Sequence, residues 1–135
     1  MSSTERRSLL YVLLAAAVLL TIGVHVSLVP RYFPDDPFMA ALSLGVGWLS
    51  YTIVFYAVGR VRSHPGILPS MRTADIGAAL FLVSLLLALA LDSLGFPPTL
   101  VIEAYALPAV GIYVGLALIG WSVGRRTNAI NAVVE

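Results

Sequence analysis

Residues 6–31 read RRSLLYVLLAAAVLLTIGVHVSLVPR, with no acidic or basic side chain other than His25 between Arg7 and Arg31. At a rise of ~1.5 Å per residue the apolar part, 8–29, extends ~33 Å as a helix, which matches a hydrocarbon core of ~30 Å. It is longer than the roughly 7–15-residue core of a signal peptide. It also ends in Leu28-Val29-Pro30-Arg31, without a small-residue cleavage pattern. The stretch is therefore expected to be a retained first transmembrane helix, stopped by Pro30.

Three further apolar stretches follow, predicting helices at about 38–58, 76–94 and 100–123. In the connection after the first, Asp36 is placed to cap the second helix and Pro37 to occupy its first position. Gly59, His64, Pro65-Gly66 and Pro69 mark the longest loop, and Thr73 is placed to cap the third helix. Gly95 ends that helix before a Pro97-Pro98 turn, and Pro108 is expected to kink the fourth. Gly124-Arg125-Arg126 is expected to close it. The four spans use most of the 135 residues, so the chain reads as one integral membrane domain, 1–135, of the all-α class: an antiparallel bundle of four transmembrane helices.

Charge fixes the expected orientation. All basic charge is Arg, and Arg6, Arg7, Arg60, Arg62, Arg72, Arg125 and Arg126 fall on one side of that topology, with Arg31 alone on the other. Cytoplasmic loops carry the excess of basic residues, which predicts a multi-pass cell-membrane protein with both termini in the cytoplasm.

Composition narrows the chemistry. The chain is 59% hydrophobic and 11% charged, with no Cys and a net charge of +1. Thiol catalysis, thiolate metal sites and disulfides are excluded. Spread Arg residues and so small a net charge argue against a nucleic-acid partner. The expected partners are the lipid bilayer, further copies of the chain or a larger membrane protein, and anionic headgroups suit the juxtamembrane Arg.

Helix association in lipid depends on close backbone approach. The fourth span carries two small-xxx-small patterns, Gly111 with Gly115 and Gly120 with Gly124. The third places Gly77, Ser84, Ala88 and Asp92 in one stripe, and the first aligns Ala17, Thr21 and His25 at four-residue spacing. Asp92 sits in a last helical turn, where the macrodipole disfavours a carboxylate. His25 has a similar expected depth, so the two are expected to pair and to pin the first helix to the third. Glu103, in the first turn of the fourth span, suits that helix start and would be a third member of an outer-leaflet polar cluster. The spacing of His25, Asp92 and Glu103 follows no metal-binding motif, and no metal or cofactor is expected. Trp48 and Tyr113 fall near mid-membrane, where their polar tips need partners.

Residues 113–127, YVGLALIGWSVGRRT, with 91–96, LDSLGF, resemble small four-helix membrane proteins of halophilic archaea. The resemblance covers the C-terminal half and implies a prokaryotic plasma membrane, with no catalytic residue to carry over. Without a catalytic signature, the expected function is non-enzymatic: an accessory or scaffold subunit that associates through helix faces. The alternative is a small transport or proton/cation-handling bundle with its site at His25 and Asp92.

Overall fold

The computed structural model describes residues 2–62 and 68–134. His64, Pro65 and Gly66 of the expected long loop lie outside the described residues. The described chain is helical throughout its regular structure. Four helices, α1 (Ser3–Tyr32), α2 (Pro37–Arg62), α3 (Arg72–Ser93) and α4 (Ile102–Val134), are each long and apolar enough to cross a membrane.

All four differ in extent from the expected spans, for local reasons. A capping box starts α1 early: Ser2 Oγ accepts from the Glu5 N–H at 3.2 Å, and Glu5 accepts from the Ser2 N–H at 3.0 Å. Pro30 does not stop α1. A π turn, Val24–Leu28, precedes it, and the helix continues through Val29–Tyr32. Asp36 caps α2, accepting from the Met39 N–H at 3.2 Å, and Pro37 is the first helical residue. Thr73 caps nothing, since α3 begins at Arg72 after Met71, and Asp75 supplies the first-turn carboxylate.

At the other end of α3, Gly95 has φ +94° and the Phe96 N–H bonds the Leu91 carbonyl at 2.9 Å. This is a Schellman close, for which glycine is the least strained residue. A 3₁₀ turn, Ile102–Tyr105, opens α4. Pro108 lies in the first turn of the α-helical part, where its missing N–H breaks no mid-helix bond, so it is a buried starting residue rather than a kink. Nor does Gly124-Arg125-Arg126 end the helix, which runs on to Val134.

Packing places α4 at the centre, against both α2 and α3, while α1 packs on α2. Of the apolar window of α4 33% is buried, against 11% of that of α1. The interior is built from small residues: Ala17, Ala40, Ser43, Gly47, Ser50, Ala57, Gly77, Ser84, Gly111, Gly115, Gly120 and Gly124 are all buried. Large apolar side chains such as Leu19, Phe38, Leu49, Leu86 and Leu107 point outward. That inversion would leave water facing a continuous apolar surface, but it is the arrangement lipid favours, where burying Leu gains little and close backbone approach gains much.

Candidate functional site: a polar chain across three helices

The four glycines of α4 serve two different neighbours. A Cβ built on Gly115 would lie 2.6 Å from the Gly77 carbonyl oxygen and 2.8 Å from the Phe81 nitrogen, while Gly111 lies under the Ser84 side chain, so this pair faces α3. Gly120 lies against the backbone of Thr52 and Tyr56, and Gly124 against Tyr56 and Arg60, so this pair faces α2. Both small-xxx-small patterns are therefore used within the chain.

The stripe on α1 meets a matching one on α2. Thr21 faces Ser50, their hydroxyls 2.8 Å apart, and Val24 and His25 face Gly47. Thr21 Oγ1 also lies 2.7 Å from the Ala17 carbonyl and Ser50 Oγ 3.0 Å from the Gly47 carbonyl. Two protons serve three contacts, so one hydroxyl donates to its own helix and the other across the interface.

One turn further along, His25 is half-buried beside the empty face of Gly47, where a Cβ would sit 2.6 Å from His25 Cε1. Its Nδ1 lies 2.8 Å from the Thr21 carbonyl and its Nε2 2.5 Å from Tyr113 Oη. A carbonyl only accepts, so Nδ1 carries a proton; in the neutral ring Nε2 then accepts from the Tyr113 hydroxyl. Tyr113 Oη in turn accepts from the Trp48 Nε1–H at 3.3 Å. The result is one directed chain, Trp48 to Tyr113 to His25 to the Thr21 carbonyl, linking α2, α4 and α1.

Aromatic edges close around it. Tyr51 meets Tyr113 edge to face at 5.0 Å between centroids, and Trp48 meets Phe81 of α3 in the same way at 5.8 Å. Protonating His25 would place a second donor against Tyr113 Oη and leave the phenol proton to find another acceptor. The site can thus exchange a proton between imidazole and phenol or lock three helices together.

The expected outer cluster is not assembled. Both nitrogens of His25 are taken by Thr21 and Tyr113, and Asp92 and Glu103 are exposed. Among the described residues α3 packs chiefly on α4, while α1 packs on α2. Glu103 belongs to the turn that opens α4. Near it, the Tyr105 hydroxyl donates to the Phe96 carbonyl at 2.7 Å and braces the α3–α4 connection. Among the described residues no three His, Asp or Glu side chains gather as a metal site would require.

Ser50, Gly47 and the Tyr113 link to His25 are the members that sequence reasoning did not assign. The signal for the first two is the spacing of Ala40, Ser43, Gly47 and Ser50, a small-residue face on α2 matching Ala17, Thr21 and His25. Comparison with protein families, with curated proteins and with solved structures gives no match.

Proposed function

We propose that the protein is a non-enzymatic accessory or scaffold subunit of the cell membrane, an antiparallel bundle with both termini in the cytoplasm. The observation that carries this reading is the polar chain from Trp48 to Thr21, in which the imidazole, phenol and indole groups are all partnered inside the chain. With Gly111, Gly115, Gly120 and Gly124 also engaged internally, the bundle holds itself together. Its outer surface is apolar side chains suited to lipid and to other membrane helices. The test is a native pull-down and native mass spectrometry in mild detergent. Recovery of a stoichiometric membrane partner, or of a defined oligomer, is expected and should survive His25→Ala. A strictly monomeric, partner-free protein would refute the reading.

A second reading has its own observation. A titratable imidazole hydrogen-bonded to a phenol inside a π turn, a feature enriched at functional sites, suits proton or cation handling centred on His25 and Tyr113. It requires a pH-dependent flux in reconstituted vesicles that His25→Ala abolishes while the protein stays folded.

A further inference from the structure

A cleft of about 580 Å³ opens where the start of α1 meets the last turns of α2 and α4. Arg6, Arg7 and Arg60 line it together with Ser3, and Tyr11 and Val61 give it an apolar wall. No Asp or Glu lines it among the described residues. The nearest carboxylate in sequence, Glu5, is committed to the Ser2 N–H in the capping box.

The guanidinium groups of Arg7 and Arg60 at one cleft concentrate positive potential there and favour an anion beside them. The α1 start adds the positive end of a helix dipole. Arg60 gives the independent sign. Its Nε–H is shielded from solvent and has no acceptor among the described residues. The guanidinium also approaches Tyr56, 3.4 Å from the hydroxyl and with its carbon 5.9 Å from the ring centroid. Buried polar groups are otherwise almost always partnered, so Arg60 enters the cleft lining with one N–H donor still unmatched among the described residues.

We propose that this cleft binds a phosphate-bearing anion, through the fork geometry that guanidinium offers to phosphate oxygens. The two sources of that chemistry are the headgroup of an anionic phospholipid and a free phosphate. The wall of Tyr11 and Val61, on helices that continue into the apolar zone, favours the lipid, whose chains would run along it. The site stands apart from the scaffold reading, since it asks only for the folded bundle.

The test uses the full chain, purified and stripped of lipid, with native mass spectrometry against equimolar dioleoylphosphatidylglycerol and dioleoylphosphatidylcholine. A parallel arm measures inorganic phosphate by calorimetry at fixed ionic strength. Phosphatidylglycerol should be retained preferentially, and Arg60→Gln and Arg7→Gln should each cut that preference about tenfold, the loss of one charge-assisted hydrogen bond. Arg31→Gln, outside the cleft, should leave it unchanged. Arg7 is exposed, so its variant should fold even where Arg60→Gln does not. Inorganic phosphate bound with the same Arg dependence, without lipid preference, would identify free phosphate as the source. Equal retention of the two lipids with no phosphate binding would overturn the proposal, as would an equal loss in Arg31→Gln.

Discussion

Replacing Gly115 by Ala adds one methyl group at the closest approach of α3 and α4, and Gly45 offers an internal control. Around Gly45 nothing lies within 4 Å of the place a Cβ would take, whereas at Gly115 that place is 2.6 Å from a carbonyl oxygen and 2.8 Å from a backbone nitrogen. Both obstacles are backbone, so no side-chain rotation relieves them. Reaching ordinary contact requires the helices to part by roughly 1 Å, which forfeits a quarter to a half of the dispersion energy of each contact across the seam. Overpacking of this kind costs about 1–3 kcal/mol. Against it stands the gain of about 0.8–1.0 kcal/mol from removing a glycine from a helix interior. Gly115→Ala should therefore lose up to about 2 kcal/mol net, while Gly45→Ala should gain up to about 1 kcal/mol. Reversible unfolding in mixed micelles, followed by far-UV circular dichroism, separates the two. A Gly115→Ala protein as stable as Gly45→Ala would refute the close-crossing argument. Gly77 meets Gly115 reciprocally, its own Cβ position lying 2.7 Å from the Gly115 carbonyl oxygen, so the double variant should be non-additive.

Tyr113→Phe removes the hydroxyl shared by His25 and Trp48 and should cost about 1–3 kcal/mol by leaving both without that partner; a parent-like melt with unchanged Trp fluorescence would contradict the chain. Thr21→Val and Ser50→Ala, combined in a double-mutant cycle, should show a coupling of about 0.6 kcal/mol, the usual size for such bonds in membranes, and additivity would mean that the hydroxyls bond only to their own helices. Gly47→Ala should push the His25 ring aside, since its Cε1 lies where the new methyl would go, and an unmoved imidazole resonance in the NMR spectrum would argue against that placement. Single cysteines in 31–36 and 96–99 should react with an impermeant maleimide added to intact cells, and one at Asn128 should not; the reverse pattern would overturn the orientation.

What can be read from the sequence is local. Capping by Asp36, the stop at Gly95 and the small-residue faces of α1 and α4 follow from spacing and backbone preference, properties of a few adjacent residues. Which face meets which helix is not local. Gly111 and Gly120 carry the same signal, yet one faces α3 and the other α2, because α4 lies between them. The expected pairing of His25 with Asp92 turns on the same non-local point: the His25 nitrogens bond Thr21 and Tyr113, and α1 packs on α2 while α3 packs chiefly on α4. Helix ends escape a reading by hydropathy where the apolar run stops before the helix does, as at Arg125 and Arg126, which continue α4. Arg125 lies 5.0 Å from the Trp121 ring centroid and Arg126 donates to the Pro69 carbonyl at 3.1 Å, so these charges are used along the helix rather than ending it.

The π turn in α1 connects a proline to the position of His25. Pro30 has no N–H, and its ring crowds the carbonyl four residues back, at Val26. In Val24–Leu28 the Val29 N–H reaches back to the Val24 carbonyl, one residue further than in an α-helix, and this wider turn contains Val26. The helix thus passes the proline instead of ending. The same turn affects the packing face. A stripe repeating every four residues drifts about 40° per step around an α-helix, at 100° per residue, so Ala17, Thr21 and His25 alone would carry the end of α1 away from α2. A wider turn advances less per residue and takes back part of that drift, and Val29–Tyr32 stays packed on α2. His25 then needs room on the facing helix, and Gly47 provides it. Gly45, two residues away and exposed, has the helical cost of glycine without that use. Proline, π turn and glycine together aim Nε2 at Tyr113, so restoring regular α geometry to α1 would break the polar chain even with every one of its side chains intact.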